Sequence, residues 1–173
     1  MVNDPLLMDG SIYTLTVNGR DLASNDSDPI IVSNILFDTT PPSFSNIAPD
    51  SGSALNHQRI SYSISEDLFK GEVIWIQTGG KDDPDAPHKV AFSNEELNFG
   101  DHVGIDLVNM PRLMDGAIYT ILFTGSDRAG NIADTISVSD ILYDFTTPKI
   151  FVNYPTSNLI TNSTEVSYSL SEQ

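Results

Sequence analysis

The 173 residues include no cysteine, so neither a disulfide framework nor a thiolate metal site can form. Basic residues are scarce: 8 Lys and Arg stand against 24 Asp and Glu, a formal charge of −16. With no Lys/Arg cluster to neutralise phosphates, a nucleic-acid partner is excluded. The same charge disfavours an anionic membrane surface. No run approaches the roughly 20 apolar residues of a spanning helix, and the start, MVNDPLLMDG, lacks the basic and apolar regions of a signal peptide. Enzyme signatures are also missing. There is no HExxH, GxSxG, Walker loop or GxGxxG, and His57, His88 and His102 are not at ligand spacing. Paired carboxylates exist in any acidic chain, but the aromatics a glycan-cleaving groove needs are accounted for by core positions. The chain reads as non-catalytic.

What is present is a long internal repeat. Leu7 to Asp38 (LMDGSIYTLTVNGRDLASNDSDPIIVSNILFD) aligns with Leu113 to Asp144 (LMDGAIYTILFTGSDRAGNIADTISVSDILYD), a shift of 106 residues that takes Tyr13 onto Tyr119. The same shift carries Ile60–Glu66 onto Val166–Glu172. A period this long matches one small domain rather than a solenoid turn. Residues 1–39 then correspond to the C-terminal half of a unit, 40–147 to a complete unit, and 148–173 to the N-terminal half of the next. Only the middle unit, at about 100 residues, is large enough to bury its own core. The chain reads as a segment of a longer tandem array, and Met1 as the start of that segment.

Within the complete unit the hydrophobic period is two. Arg59–Ser65 alternates polar and apolar residues, and Glu72–Gln77 is a more apolar run rich in strand formers. With Phe44–Ile47, His88–Phe92, His102–Leu107, Ile118–Thr124 and Thr135–Tyr143, seven strands are predicted, separated by Gly, Pro, Asn and Asp clusters. Ser93–Leu97 carries a capping pattern but is too short for an independent helix. An all-β chain of this kind folds as a two-sheet sandwich. Asp115-Gly116-Ala117-Ile118-Tyr119 puts a tyrosine at the start of the sixth strand, and the only tryptophan, Trp75, falls on the third. Both positions suit an immunoglobulin-like β-sandwich, with Ile121 and Ile64 or Tyr62 filling the space of the usual disulfide.

Asp127-Arg128-Ala129-Gly130-Asn131 and Asp144-Phe145-Thr146-Thr147-Pro148, with Asp21-Leu22-Ala23-Ser24-Asn25 and Asp38-Thr39-Thr40-Pro41-Pro42 one repeat earlier, resemble the bacterial Ig-like domain repeats of large surface and adhesin-type proteins. The resemblance covers the whole chain as part, whole and part. It implies an extracellular or cell-surface spacer or adhesion stalk, whose partners are neighbouring Ig-like repeats and a cell-surface or glycan ligand. The alternatives are a ligand-binding adhesin domain using the Thr78–His88 loop, or an accessory module of a secreted carbohydrate-active enzyme. Ser24 in place of Gly130 suggests that the first copy of this turn has a different geometry.

In such a sandwich, Asp38 at the end of one unit, Glu66 and Asp67 after the second strand of the next, and Asp127 with Asn131 in its last hairpin approach one junction. Oxygen ligands converging from loops are what Ca2+ prefers. The competing reading is that Asp and Asn serve turns by bonding the local backbone. A second acidic stretch, Lys81-Asp82-Asp83-Pro84-Asp85, reads as a solvated hairpin loop whose charge deters edge pairing.

Overall fold

A computed structural model describes residues 5–172. It contains twelve strands and, among the described residues, no helix. In chain order they are β1 (Ser11–Val17), β2 (Ile30–Phe37), β3 (Phe44–Ala48), β4 (Ala54–Leu55), β5 (Ile60–Ile64), β6 (Lys70–Gly80), β7 (His88–Ala91), β8 (Gly100–Ile105), β9 (Ala117–Ser126), β10 (Ile136–Tyr143), β11 (Ile150–Tyr154) and β12 (Ser167–Leu170).

Strands β3 to β10 form a β-sandwich. One sheet has the order β3-β5-β8 and the other β4-β10-β9-β6-β7. Every pairing is antiparallel except that of β4, which runs parallel to β10. The facing residues are those the alternation singles out. Ile60, Tyr62 and Ile64 from one sheet meet Val73, Trp75, Tyr119, Ile121 and Phe123 from the other, all buried. Phe123 lies 6.2 Å from Phe44 and 6.0 Å from Tyr62, ring centre to ring centre, so aromatic contacts bridge the sheets. Trp75 sits edge-on to Tyr119 at 6.0 Å and 86°.

Each of the seven predicted strands has a counterpart. The eighth, β4, is too short to show a period. It exists because Leu142 N–H donates to Ser53 O at 3.0 Å and Asp144 N–H to Leu55 O at 2.8 Å. The Ser93–Leu97 stretch is a single turn. Its capping bond is present, from Ser93 N–H to Glu96 Oε2 at 2.5 Å, and Glu96 Oε1 accepts from Val108 N–H at 3.0 Å.

The remaining strands form two separate hairpins, β1–β2 and β11–β12. They repeat the local geometry of the sandwich at the 106-residue shift. Tyr119 Oη accepts from Met114 N–H at 2.9 Å, and Tyr13 Oη from Met8 N–H at 2.7 Å. A bulge interrupts the pairing of β9 with β10 and of β1 with β2, and in each an Asx residue takes the left-handed conformation, Asp140 at φ 59° and Asn34 at φ 61°. Lys149 N–H donates to Ser171 Oγ at 2.8 Å, as Ser43 N–H does to Ser65 Oγ at 2.9 Å. The turn at Ser24 differs in part, as expected from sequence: Ser24 N–H donates to the Asp21 carbonyl oxygen at 3.0 Å, whereas Gly130 N–H donates to the Asp127 carboxylate at 2.7 Å, but the left-handed residue is kept. Ser24 adopts φ 73° where Gly130 has 97°, because the flanking Asp and Asn hold the turn. That conformation costs a non-glycine residue roughly 1–2 kcal/mol.

Candidate functional site

The chain leaves β2 at Asp38, enters β3 through Thr39-Thr40-Pro41-Pro42-Ser43, and so passes the pole where β5 ends and β9 turns into β10. At this pole one carboxylate oxygen from each of Asp38, Glu66 and Asp127 lies within 4.8 Å of the others. Asp127 is 3% exposed. Its Oδ1 accepts from the N–H groups of Gly130 at 2.7 Å and Asn131 at 2.8 Å, and its Oδ2 from Asn131 Nδ2 at 2.7 Å. Asn131 Nδ2 also donates to the Asp38 carbonyl oxygen at 3.1 Å, which ties the turn to the linker.

Four of the five sequence-predicted residues are thus placed together: three as a carboxylate group, and Asn131 as the amide beside it. Asp67 is outside the carboxylate group. It is exposed, and its Oδ1 accepts from Phe99 N–H at 2.7 Å. The Asp–Asn bracket is also a turn device in its own right. Asp21 likewise accepts from Asn25 N–H and the Asn25 amide, with Ala23 N–H in place of the counterpart of Gly130, within an exposed stretch. In the second copy Asp38 and Glu66 also approach the bracket.

The electrostatics separate the roles. Burial pushes Asp127 up, but its hydrogen bonds from the Asn131 side chain and from backbone N–H groups hold it below the usual carboxylate range. Glu66 is pushed up, first by burial and then by the charges of Asp38, Asp127, Asp67 and Asp9. Such a group can take a proton, or share a hard divalent cation through its oxygens. Three carboxylates would supply about half of the six to eight oxygens Ca2+ takes, the rest coming from backbone carbonyls and water.

The linker itself is clamped from the preceding unit. Asp9 accepts from Thr39 N–H at 2.5 Å, Thr39 Oγ1 at 2.8 Å and Thr40 Oγ1 at 2.6 Å, and Asp38 Oδ1 accepts from Thr40 N–H at 3.0 Å. One repeat later Asp115 accepts from Phe145 N–H at 2.9 Å and Thr146 Oγ1 at 2.7 Å, and Asp144 Oδ1 from Thr146 N–H at 3.0 Å.

The Lys81–Asp85 loop corrects the sequence reading. Asp83 is 5% exposed and is not solvated. Its Oδ2 accepts from Tyr119 Oη at 2.5 Å and contacts His88 Nε2 at 2.7 Å, while Oδ1 accepts from Asp85 N–H at 3.1 Å. Gln77 Oε1 accepts from Asp83 N–H at 3.0 Å and so fixes the loop to β6. Composition hid this, because one buried carboxylate among three acids looks like any charged loop. The signal available was Tyr119, whose buried hydroxyl needs an acceptor as well as the Met114 donor. The other histidines act separately: His102 stacks on Tyr62 at 4.6 Å, and His57 Nδ1 accepts from Arg59 N–H at 3.3 Å.

No protein-family model and no curated protein matches the chain. Among the described residues no helix is long and apolar enough to cross a membrane.

Proposed function

We propose that the chain is a non-catalytic segment of immunoglobulin-like repeats from a large bacterial exported or cell-surface protein, in which successive sandwiches act as a spacer or adhesion stalk. The observation that carries this reading is the recurrence, 106 residues apart, of the bonds that hold each linker to the unit before it. A spacer limits the freedom of its linkers, and carboxylates holding the linker backbone to the preceding unit at each copy support that role. Pro41 and Pro42 restrict φ over the same stretch. The adhesin alternative would use the Thr78–His88 loop, but Asp83 and Gln77 turn inward there and serve the fold.

Because the chain has no native cysteine, two introduced ones are unique labelling sites. Spin labels at the exposed positions Thr16 and Lys89 should give a narrow distance distribution between hairpin β1–β2 and the sandwich. A distribution as broad as that of a flexible linker would overturn the spacer reading.

The junction is further proposed to be stiffened by Ca2+ held between Asp38, Glu66 and Asp127, with Asn131 positioning Asp127. Titration calorimetry should give a binding heat for the wild type that Glu66→Gln loses. Glu66 is the informative position because it makes no turn bond, unlike Asp127. Without metal, Glu66→Gln should melt slightly higher than the wild type, since like charges no longer face each other. No heat in the wild type, or equal heats in both, would remove calcium from the proposal and leave the spacer standing.

A further inference from the structure

The chain enters the sandwich through Ser43 into β3 and leaves it after Tyr143, the end of β10. Strand β3 belongs to the three-stranded sheet, whereas β4, the next strand, crosses to the edge of the other sheet and pairs with β10. This is the only parallel pairing among the described strands. The contact is longer than a two-residue strand suggests. Gly52 N–H donates to Ser139 O at 3.0 Å, Leu142 N–H to Ser53 O at 3.0 Å and Asp144 N–H to Leu55 O at 2.8 Å, and Ser51 Oγ accepts from Ser139 N–H at 3.1 Å. Apolar burial adds little here, since Ala54 is exposed and Leu55 only partly buried. Hydrogen bonds, rather than packing, hold β4 in place.

We propose that the β4–β10 contact is a load-bearing clamp that resists tension applied along the chain. Such tension pulls β4 from its N-terminal end, through β3, and β10 from its C-terminal end. In a parallel pair those two ends lie at opposite ends of the ladder, so the strands are dragged past each other and their evenly spaced bonds carry the load together. An antiparallel pair pulled apart at its open end loses its bonds one after another. Strand β3 is held separately, by its ladder with β5 and by Ser43 N–H on Ser65 Oγ at 2.9 Å, so its release leaves the clamp closed. Opening the clamp frees the roughly 90 residues between Gly52 and Asp144, about 300 Å of extended chain. The inference rests on strand order and not on the spacer role or on calcium, so each can fail alone.

Single-molecule extension of the full chain tests it, with pulling points set by introduced cysteines, since none is native. Cysteines at the exposed Ser43 and Thr147 load the sandwich along the chain. Cysteines at the exposed Lys70 and Ala91 pull instead at the open end of β6–β7, where Glu72 pairs with Ala91 and the bonds are loaded in turn. The first geometry should need roughly three times the force of the second, because three backbone bonds share the load. Leu55→Pro removes an N–H on the side of the strand that faces β10, whereas Leu55→Ala trims the same side chain and keeps it. Pulled along the chain, Leu55→Pro should yield near the peeling force and Leu55→Ala near that of the wild type. A thermal melt shows whether Leu55→Pro is folded; if it is not, the contrast between directions, which needs no change in β4, decides alone. Equal forces in the two directions, or equal forces for folded Leu55→Pro and Leu55→Ala, would overturn the clamp.

Discussion

Replacing Asp83 by alanine should destabilise the sandwich by about 3 kcal/mol, since each buried donor left without its acceptor costs about 1–3 kcal/mol. Three donors lose their acceptor at once: the Tyr119 hydroxyl, His88 Nε2 and the Asp85 N–H. The first two are in the interior, where an unsatisfied polar group costs its full desolvation. In a unit of about 100 residues this lowers the thermal midpoint by on the order of 15 °C. Asp82→Ala, one residue away and exposed, should change stability by no more than about 0.5 kcal/mol. Thermal melts of the two variants check the contrast, and equal midpoints would contradict the assigned role of Asp83.

The same residue sets the acid limit. Burial opposes ionisation of Asp83, but the bonds from Tyr119, His88 and Asp85 hold it below its ordinary 3.8. A carboxylate depressed in the folded state adds stability that is complete above its unfolded value and is lost as pH falls through the folded one. Acid unfolding driven by Asp83 therefore develops below about pH 3.8. Glu66 works in the opposite sense. Its folded value lies above 4.5, so the folded state binds the proton more tightly, and protonation in the window above 4.5 relieves the junction. Stability in metal-free buffer should therefore rise slightly on mild acidification and then fall. Glu66→Gln abolishes the rise and Asp83→Ala reduces the fall.

The sandwich strands were legible because alternation reports a half-buried strand directly, as in the sequence Ile60-Ser61-Tyr62-Ser63-Ile64 of β5, while β9 alternates in burial from Ala117 to Gly125. Strand β4 was not, since two residues held by bonds to β10 have no period of their own. The proximity of Asp38, Glu66 and Asp127 follows from topology: the linker enters a sandwich at the pole where the β5 and β9 loops also lie. Asp67 shares that loop, but a side chain one residue on points elsewhere, and Phe99 N–H takes it. Asp83 illustrates a different limit. Whether a loop carboxylate faces water or a buried tyrosine depends on how the loop folds back, which neither charge nor spacing encodes. The repeat, by contrast, carried over to individual hydrogen bonds, since the same residues at the same offsets meet the same backbone groups. The left-handed Ser24 shows that the surrounding bonds, more than the glycine, specify the turn.

Phe123→Ala should cost about 3–5 kcal/mol, the range for deleting a buried aromatic ring. Phe123 is fully buried between the sheets and touches the rings of both Phe44 and Tyr62. Its removal opens a cavity where aromatic packing joins the two sheets, and the β-strand backbones around it cannot close in without breaking their ladders. A domain of this size has a total stability of about 5–15 kcal/mol, so the variant loses a large part of it. Val17 occupies the same position one repeat earlier and is 51% exposed. Val17→Ala should change stability by less than about 0.5 kcal/mol. Urea unfolding followed through Trp75, the sole tryptophan and itself buried in the sandwich, reads both variants on one signal. If the two variants unfold together, burial in the sandwich is not what separates these positions. If they part as expected, the repeat specifies the strand, and the facing sheet determines what each position contributes.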